Sequence, residues 1–223
     1  MVCPFIVPKI VPKNAPAKAL LAHIITEQTS VPQKWISQTL HMGSAPNQVP
    51  AIVSATRRLI ALGHRRLVFL ESHFTLSSPG REGAAFLDEL TAHGIEAGNY
   101  NMPGWEGGYD GFYRCLESLF AKTPPTAIFI FSAAEYFATT QFLLHRGLRV
   151  PQDVSLICCY MAPYFRRYQP SISHVRWNDQ LIVNRIARWA KNISHGKEDT
   201  RQTRIDAEFV EGGTIGPVAE NVE

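Results

Sequence analysis

The chain has 223 residues, of which 45% are hydrophobic, enough to bury a sizeable core as one large domain or two modest ones. Its 22 lysines and arginines against 19 acidic residues leave a formal charge of +3, too small and too scattered for a surface that tracks phosphates. Cysteines stand at 3, 115, 158 and 159 with no C-x-x-C pair, which points to a reducing compartment. Cys158 and Cys159 are adjacent within an apolar run and read as small core hydrophobes rather than as a redox or metal pair.

Prolines at 4, 8, 12 and 16 punctuate the start of the chain, so it forms neither the apolar core of a signal peptide nor a membrane helix. No other stretch approaches about eighteen apolar residues, and a soluble, cytoplasmic protein with no membrane partner is expected. Leu20 to Thr26 reads as a strand or a helix turn, and Val31 to Leu40 as a short helix carrying Trp35.

From about residue 50 the pattern alternates between helix and strand periods, as in an α/β protein with a parallel sheet. Ile52, Ala55, Leu59 and Leu62 recur at helical spacing and Gly63 stops that helix. Arg66 to Leu70 follows as a buried strand. Phe86, Leu87 and Leu90 share a face of a helix ending near Gly94, and Phe112, Cys115, Leu116, Leu119 and Phe120 do so in a second helix ending before Pro124-Pro125. Ala127 to Phe131 and Val154 to Cys159 are continuous apolar runs that predict strands covered on both faces, with a helix over 134–146 between them. A strand over Ser173–Trp177 is followed by a helix from about Asp179, capped by Asn178 or Asp179 and carrying Ile182, Ile186, Trp189 and Ile193 on one face. A last strand over Thr203–Val210 precedes Gly212-Gly213 and a polar tail expected to fray.

Templates for chemistry come back empty. The sequence holds no G-x-G-x-x-G after a strand, no G-x-x-x-x-G-K-[ST], no G-x-S-x-G and no H-E-x-x-H, so no catalytic residue, cofactor or metal site is expected. The eight histidines are dispersed. His93 and His145 precede helix-stopping glycines, where an imidazole suits exposed carbonyls and the negative end of the helix dipole, and His64 in its Gly-His-Arg-Arg turn is read the same way. The remaining acidic residues fall on helix faces or in turns and read as solvated charge.

Several strings, in order, resemble regulators of the LacI/GalR family. They are Leu59 to Leu67 (LIALGHRRL), Pro124 to Phe129 (PPTAIF), Gly147 to Leu156 (GLRVPQDVSL) and Phe209 to Thr214 (FVEGGT). The last has a glycine where the family often has an arginine. Gln33 to Ile36 and Asn101 to Glu106 resemble planctomycete and verrucomicrobial members. The resemblance implies a type I periplasmic-binding-protein-like α/β fold: parallel sheets with flanking helices, in two subdomains with an effector between them. On that map residues 1–63 plus 179–205 form a partial N-terminal subdomain, with the family's DNA-binding head absent. Residues 64–178 plus 206–217 form the C-terminal, effector-binding subdomain, and 218–223 a tail.

Carried over by position, the family's sugar-binding arginine becomes Glu82, with Arg81 beside it. The asparagine after the third strand becomes Ser132, and the aspartate after the next strand becomes Tyr160. Trp105 matches an aromatic that often stacks on the ligand, although a tryptophan at a helix entrance also serves as a packing staple. The resemblance thus implies a sensing domain that binds a small, sugar-like effector, forms a homodimer, and meets DNA only through a head domain. The alternative is a diverged or truncated regulator that acts as a dimerisation module without an effector.

Overall fold

A computed structural model of the chain describes residues 46–71, 79–160, 164–178 and 204–218, together with single positions between 180 and 197. The readings of 20–26 and 31–40, and the apolar face Ile182, Ile186, Trp189 and Ile193, lie outside the described residues. The chain divides into two compact units: Met1–Asn47 with Trp177–Asp206, and Gln48–Arg176 with Ala207–Glu223. The first boundary thus falls at Asn47 rather than near residue 63.

In the smaller unit, the Asn47 backbone donates to the Ile205 carbonyl at 2.8 Å, and Asn47 and Asp206 form a parallel bridge. Asp206 also accepts from Arg204 at 2.8 Å. The side chain of Asn47, followed by that of Arg204, holds the Asp206 carboxyl below the usual range. Asn178 Oδ1 accepts from the Gln180 amide at 3.0 Å, the cap expected for the helix that starts there.

The larger unit is built on five strands, β1 (Leu67–Leu70), β2 (Ala127–Ile130), β3 (Ser155–Cys158), β4 (Ser173–Arg176) and β5 (Glu208–Val210), which lie side by side in that order. The first four are parallel, with Phe69 beside Phe129 and Phe129 beside Ile157, and β5 runs antiparallel to β4. The last strand is shorter than the expected 203–210, because Asp206 pairs within the smaller unit.

Every residue of β1, β2 and β3 is buried, as near-continuous apolar runs require when helices cover both faces. Alternation along each strand sends Val68, Leu70, Ile128, Ile130, Leu156 and Cys158 into one cluster. Helices α3 (Gly108–Lys122) and α4 (Ala133–His145) complete that cluster with Phe112, Leu116, Phe120, Phe142 and Leu143. On the opposite face Phe69, Phe129 and Phe86 form a triangle of rings with centroids 5.4–5.7 Å apart. Phe86 comes from α2 (Gly80–Ala92). Full burial of each such side chain contributes about 1.5–3 kcal/mol.

Helix α1 (Val49–Ala61) packs against α2 and β5 through the face containing Ile52, Ala55 and Leu59. This apolar face is why α1 belongs to the larger unit. Its Arg57 grips Glu89 of α2 with two hydrogen bonds, at 2.7 and 3.2 Å. Glu89 is buried, contrary to its expectation as solvated charge, and a bidentate guanidinium is the partner that makes this tolerable. Gly63, Gly94 and Gly147 follow α1, α2 and α4 with φ of 93, 71 and 70°, the left-handed stops read from the sequence. His93 turns its Nδ1 to the Glu89 carbonyl at 2.9 Å, as a residue at a helix end should.

The segment 98–102, for which periodicity predicts no element, covers the free edge of β1. Phe69 donates to the Asn101 carbonyl at 2.7 Å, while the Asn101 side chain donates to Leu67 and accepts from Gly98, both at 2.9 Å. One buried asparagine thereby does the work of an edge strand.

His64 differs from its expected capping role. It is buried at the N-terminal ends of β2 and β3, with Nε2 2.9 Å from the Gly216 carbonyl and Nδ1 3.0 Å from the Thr126 hydroxyl. The carbonyl requires a proton on Nε2, so Nδ1 accepts from Thr126. Burial holds the imidazole below its usual value of 6.5, and the bond to Gly216 opposes this. The unfolded chain therefore binds the proton more tightly than the folded one. The His64 contribution to stability is full above about pH 6.5 and falls as acidification passes through that value. Between about pH 7.5 and about pH 5.5 the thermal midpoint should drop further in the native sequence than in His64→Gln, which cannot titrate; equal drops in calorimetry would remove His64 as the cause.

Candidate functional site

Parallel strands bring their C-terminal ends to one edge of the sheet, and in open α/β folds ligands bind outside that edge. Here Glu71 follows β1, Phe131 and Ser132 follow β2, and Cys159 and Tyr160 follow β3. Their backbones continue the ladder, with Phe131 donating to Leu70 at 3.1 Å and Cys159 donating to Ile130 at 2.8 Å.

Four of the expected site residues lie on these strand ends or in the first turn of a neighbouring helix. Glu82 is half-buried and Arg81 exposed, both in the first turn of α2. Ser132 is the N-cap of α4: its hydroxyl accepts from the Glu135 amide at 3.2 Å and donates to the Glu135 carboxylate at 3.0 Å. The string Ser132-Ala133-Ala134-Glu135 carried this signal, since Ser-x-x-Glu before an apolar run is a helix start. Tyr160 is half-buried and packs against the cluster under α3 and α4.

Glu71 is the site residue that sequence reasoning missed. It is only 4% exposed, directly after an apolar strand, whereas a carboxylate at a strand end reads by default as solvated. Its charge is felt nearby: burial first, then Cys158 and the carboxylates of Glu71 and Glu82, raise the Cys159 thiol well above its ordinary value. Cys158 is pushed up to about 12 by burial, with Glu135 adding to the rise and a bond from the Tyr160 backbone opposing it. Both thiols are therefore protonated and unsuited to nucleophilic attack. They are core hydrophobes, as the sequence suggests. The strand edge is thus rich in carboxylate acceptors. Among the described residues, no group of three or more His, Cys, Asp or Glu is placed to hold a metal ion.

Trp105 is turned elsewhere. It packs on Phe112, with centroids 5.3 Å apart, and lines a groove beside α3 to which Arg81, Glu82, Ser132 and Tyr160 contribute nothing. The loop before α3 approaches so closely that a Cβ on Gly111 would collide with the Glu106 carbonyl.

This α/β architecture agrees with the comparisons. Residues 56–215 match the periplasmic binding protein-like domain. The chain belongs to that family. A periplasmic-binding-protein-like relative, the HTH-type transcriptional repressor PurR of Pasteurella multocida (strain Pm70), is 26% identical over 159 residues, which make up 70% of this chain and 47% of the repressor. The chain thus spans about half the length of that relative. A LacI family transcriptional regulator from Enterococcus faecium with bound ribose superposes with a TM-score of 0.66 at 15% identity, over 78% of this chain and 65% of that one. A sugar-binding LacI family regulator from Escherichia coli complexed with phosphate gives 0.63 at 18% identity, over 77% and 62%. At these identities the solved structures show a shared fold. Among the described residues, no helix of this periplasmic-binding-protein-like chain is long and apolar enough to cross a membrane.

The cap at Ser132 can be tested directly. Ser132→Ala should cost about 0.5–2 kcal/mol in urea unfolding, and a loss smaller than this range would mean that the hydroxyl is dispensable to α4.

Proposed function

We propose that the chain is the ligand-sensing domain of a LacI/GalR-type transcriptional regulator, which works in the cytoplasm and performs no covalent chemistry. It binds a small, sugar-like effector through Arg81, Glu82, Ser132 and Tyr160, and it reaches DNA through a separate head domain. The observation that carries this reading is the set of carboxylates, Glu71, Glu82 and Glu135, at the C-terminal edge of a parallel sheet in this family's fold. Carboxylates are acceptors only, and a ligand rich in hydroxyl donors is their chemical complement. The structural relative with bound ribose points the same way. The groups differ from the family's arginine, asparagine and aspartate, so the effector is expected to differ too.

Dimerisation is supported by an aromatic surface. Tyr164 and Tyr168, each 44% exposed, flank the short 3-10 turn Phe165–Arg167. The ring of Phe137 on α4 lies 5.6 Å from that of Tyr168, and Leu144, further along α4, is 75% exposed. Large apolar groups gathered on one face mark an interface. A Tyr168→Glu variant should shift the protein from dimer to monomer in sedimentation velocity; an unchanged dimer would place the interface elsewhere.

For the effector, thermal denaturation across a panel of neutral mono- and disaccharides tests the reading. A ligand at about 100 times its Kd adds about 2.7 kcal/mol, a rise of about 5–10 °C for a domain of this size. Glu82→Gln should reduce that rise. A flat response from a well-folded sample would favour a dimerisation module without an effector.

A further inference from the structure

The groove beside α3 has a chemistry opposite to that of the strand edge. It encloses about 550 Å³, within the range of small-molecule sites. One wall is the segment leading into α3, with Tyr100, Trp105 and Glu106, and the other is the helix itself, with Arg114, Cys115 and Lys122. Because α3 runs back to the start of β2, the groove extends from Trp105 at its entrance to Lys122 at the opposite end of the helix.

Two observations indicate an occupant. Arg114 and Lys122 are exposed cations that make no ion pair among the described residues, and Glu106 is the one carboxylate on the lining, so the groove carries an excess of one positive charge. The Arg114 guanidinium is folded back over Gly107, 3.3 Å from where a Cβ would stand, which brings it beside the loop that carries Trp105. A half-buried indole, held at 59° to the ring of Phe112, offers a flat apolar face in the same groove as that planar cation.

We infer that this groove is a second binding site, distinct from the strand edge, for a small aromatic carboxylate whose ring lies against Trp105 and whose anionic group pairs with Arg114. A guanidinium forks onto a carboxylate with two parallel bonds, which fixes the orientation of the ring. Lys122, eight residues on and about 12 Å further along the helix, meets a polar substituent at the far end of the ligand. Charge separates the two sites: carboxylates repel an aromatic acid at the strand edge, and the groove attracts it.

Calorimetric titration with 2-naphthoate, and with the neutral 2-naphthamide as control, tests this on the full chain. The expected result is one site per chain for naphthoate, with naphthamide about tenfold weaker, the value of one charge-assisted bond. The Arg114→Gln/Lys122→Gln double variant changes two exposed side chains and should fold as the native chain does. It should bind naphthoate no better than naphthamide, and Trp105→Ala should weaken both. Glu82→Gln should leave naphthoate binding unchanged while it alters the saccharide response, so failure here and failure of the effector reading are told apart. Equal binding of acid and amide by the native chain, no binding of either, or loss of naphthoate on Glu82→Gln would each overturn the proposal.

Discussion

The structure of the larger unit depends on one constraint, the burial of every side chain on three four-residue strands. Such short strands cannot be stable as an exposed ribbon, so both faces need cover, and alternation along β1, β2 and β3 divides the residues evenly between two layers of helices. To add the next strand in parallel the chain must return to the same end of the sheet each time; α2 and α3 are that return from β1 to β2, α4 is that return from β2 to β3, and the segment holding the 3-10 turn Phe165–Arg167 leads from β3 to β4. Two consequences follow together. The core is sealed above and below, and the C-termini of the four parallel strands collect at one edge.

That edge is where the chain can place polar groups at low cost to the core, and the two ends of the strands use the opportunity differently. At the N-terminal end His64, Thr126, Ser155 and Gly216 bond to one another with neutral donors and acceptors. Thr214 ties the closing segment into the same end through bonds to Leu156 and Ser173. At the C-terminal edge the polar groups are carboxylates, each with about four lone-pair positions, so one internal bond does not exhaust them. Ser132 and Glu135 show one such bond: a reciprocal pair holds the start of α4.

The features legible in the sequence were those that depend on local pattern. The runs AIFIF and VSLICC hold the strands Ala127–Ile130 and Ser155–Cys158 because no other element of that length buries all its residues, and Gly63, Gly94 and Gly147 end helices because glycine adopts the left-handed stop without strain. The features that escaped depend on tertiary partners. Glu89 is buried because Arg57, 32 residues away, reaches it; the 98–102 edge exists because Asn101 finds Leu67. His64 has the composition of a turn and the environment of a core. The candidate site was legible as a set of positions and not as a geometry: Glu82, Ser132 and Tyr160 lie on strand ends or first helical turns, whereas the direction of Trp105 was set by Phe112 and by the glycine at 111.

Trp105 shows why a residue's position in a family pattern does not decide its role. An aromatic at the entrance to α3 can turn toward the strand ends or along the helix, and the choice is made by how closely the preceding loop approaches. Gly111 has no side chain, so the Glu106 carbonyl descends onto α3 where any Cβ would stop it. The loop is drawn in, and the indole packs against Phe112, one residue further along, at a tilt of 59°. A single absent methyl group thereby moves a large aromatic surface from the carboxylate-rich edge to a groove lined by Arg114 and Lys122, which changes the charge of the ligand that surface suits.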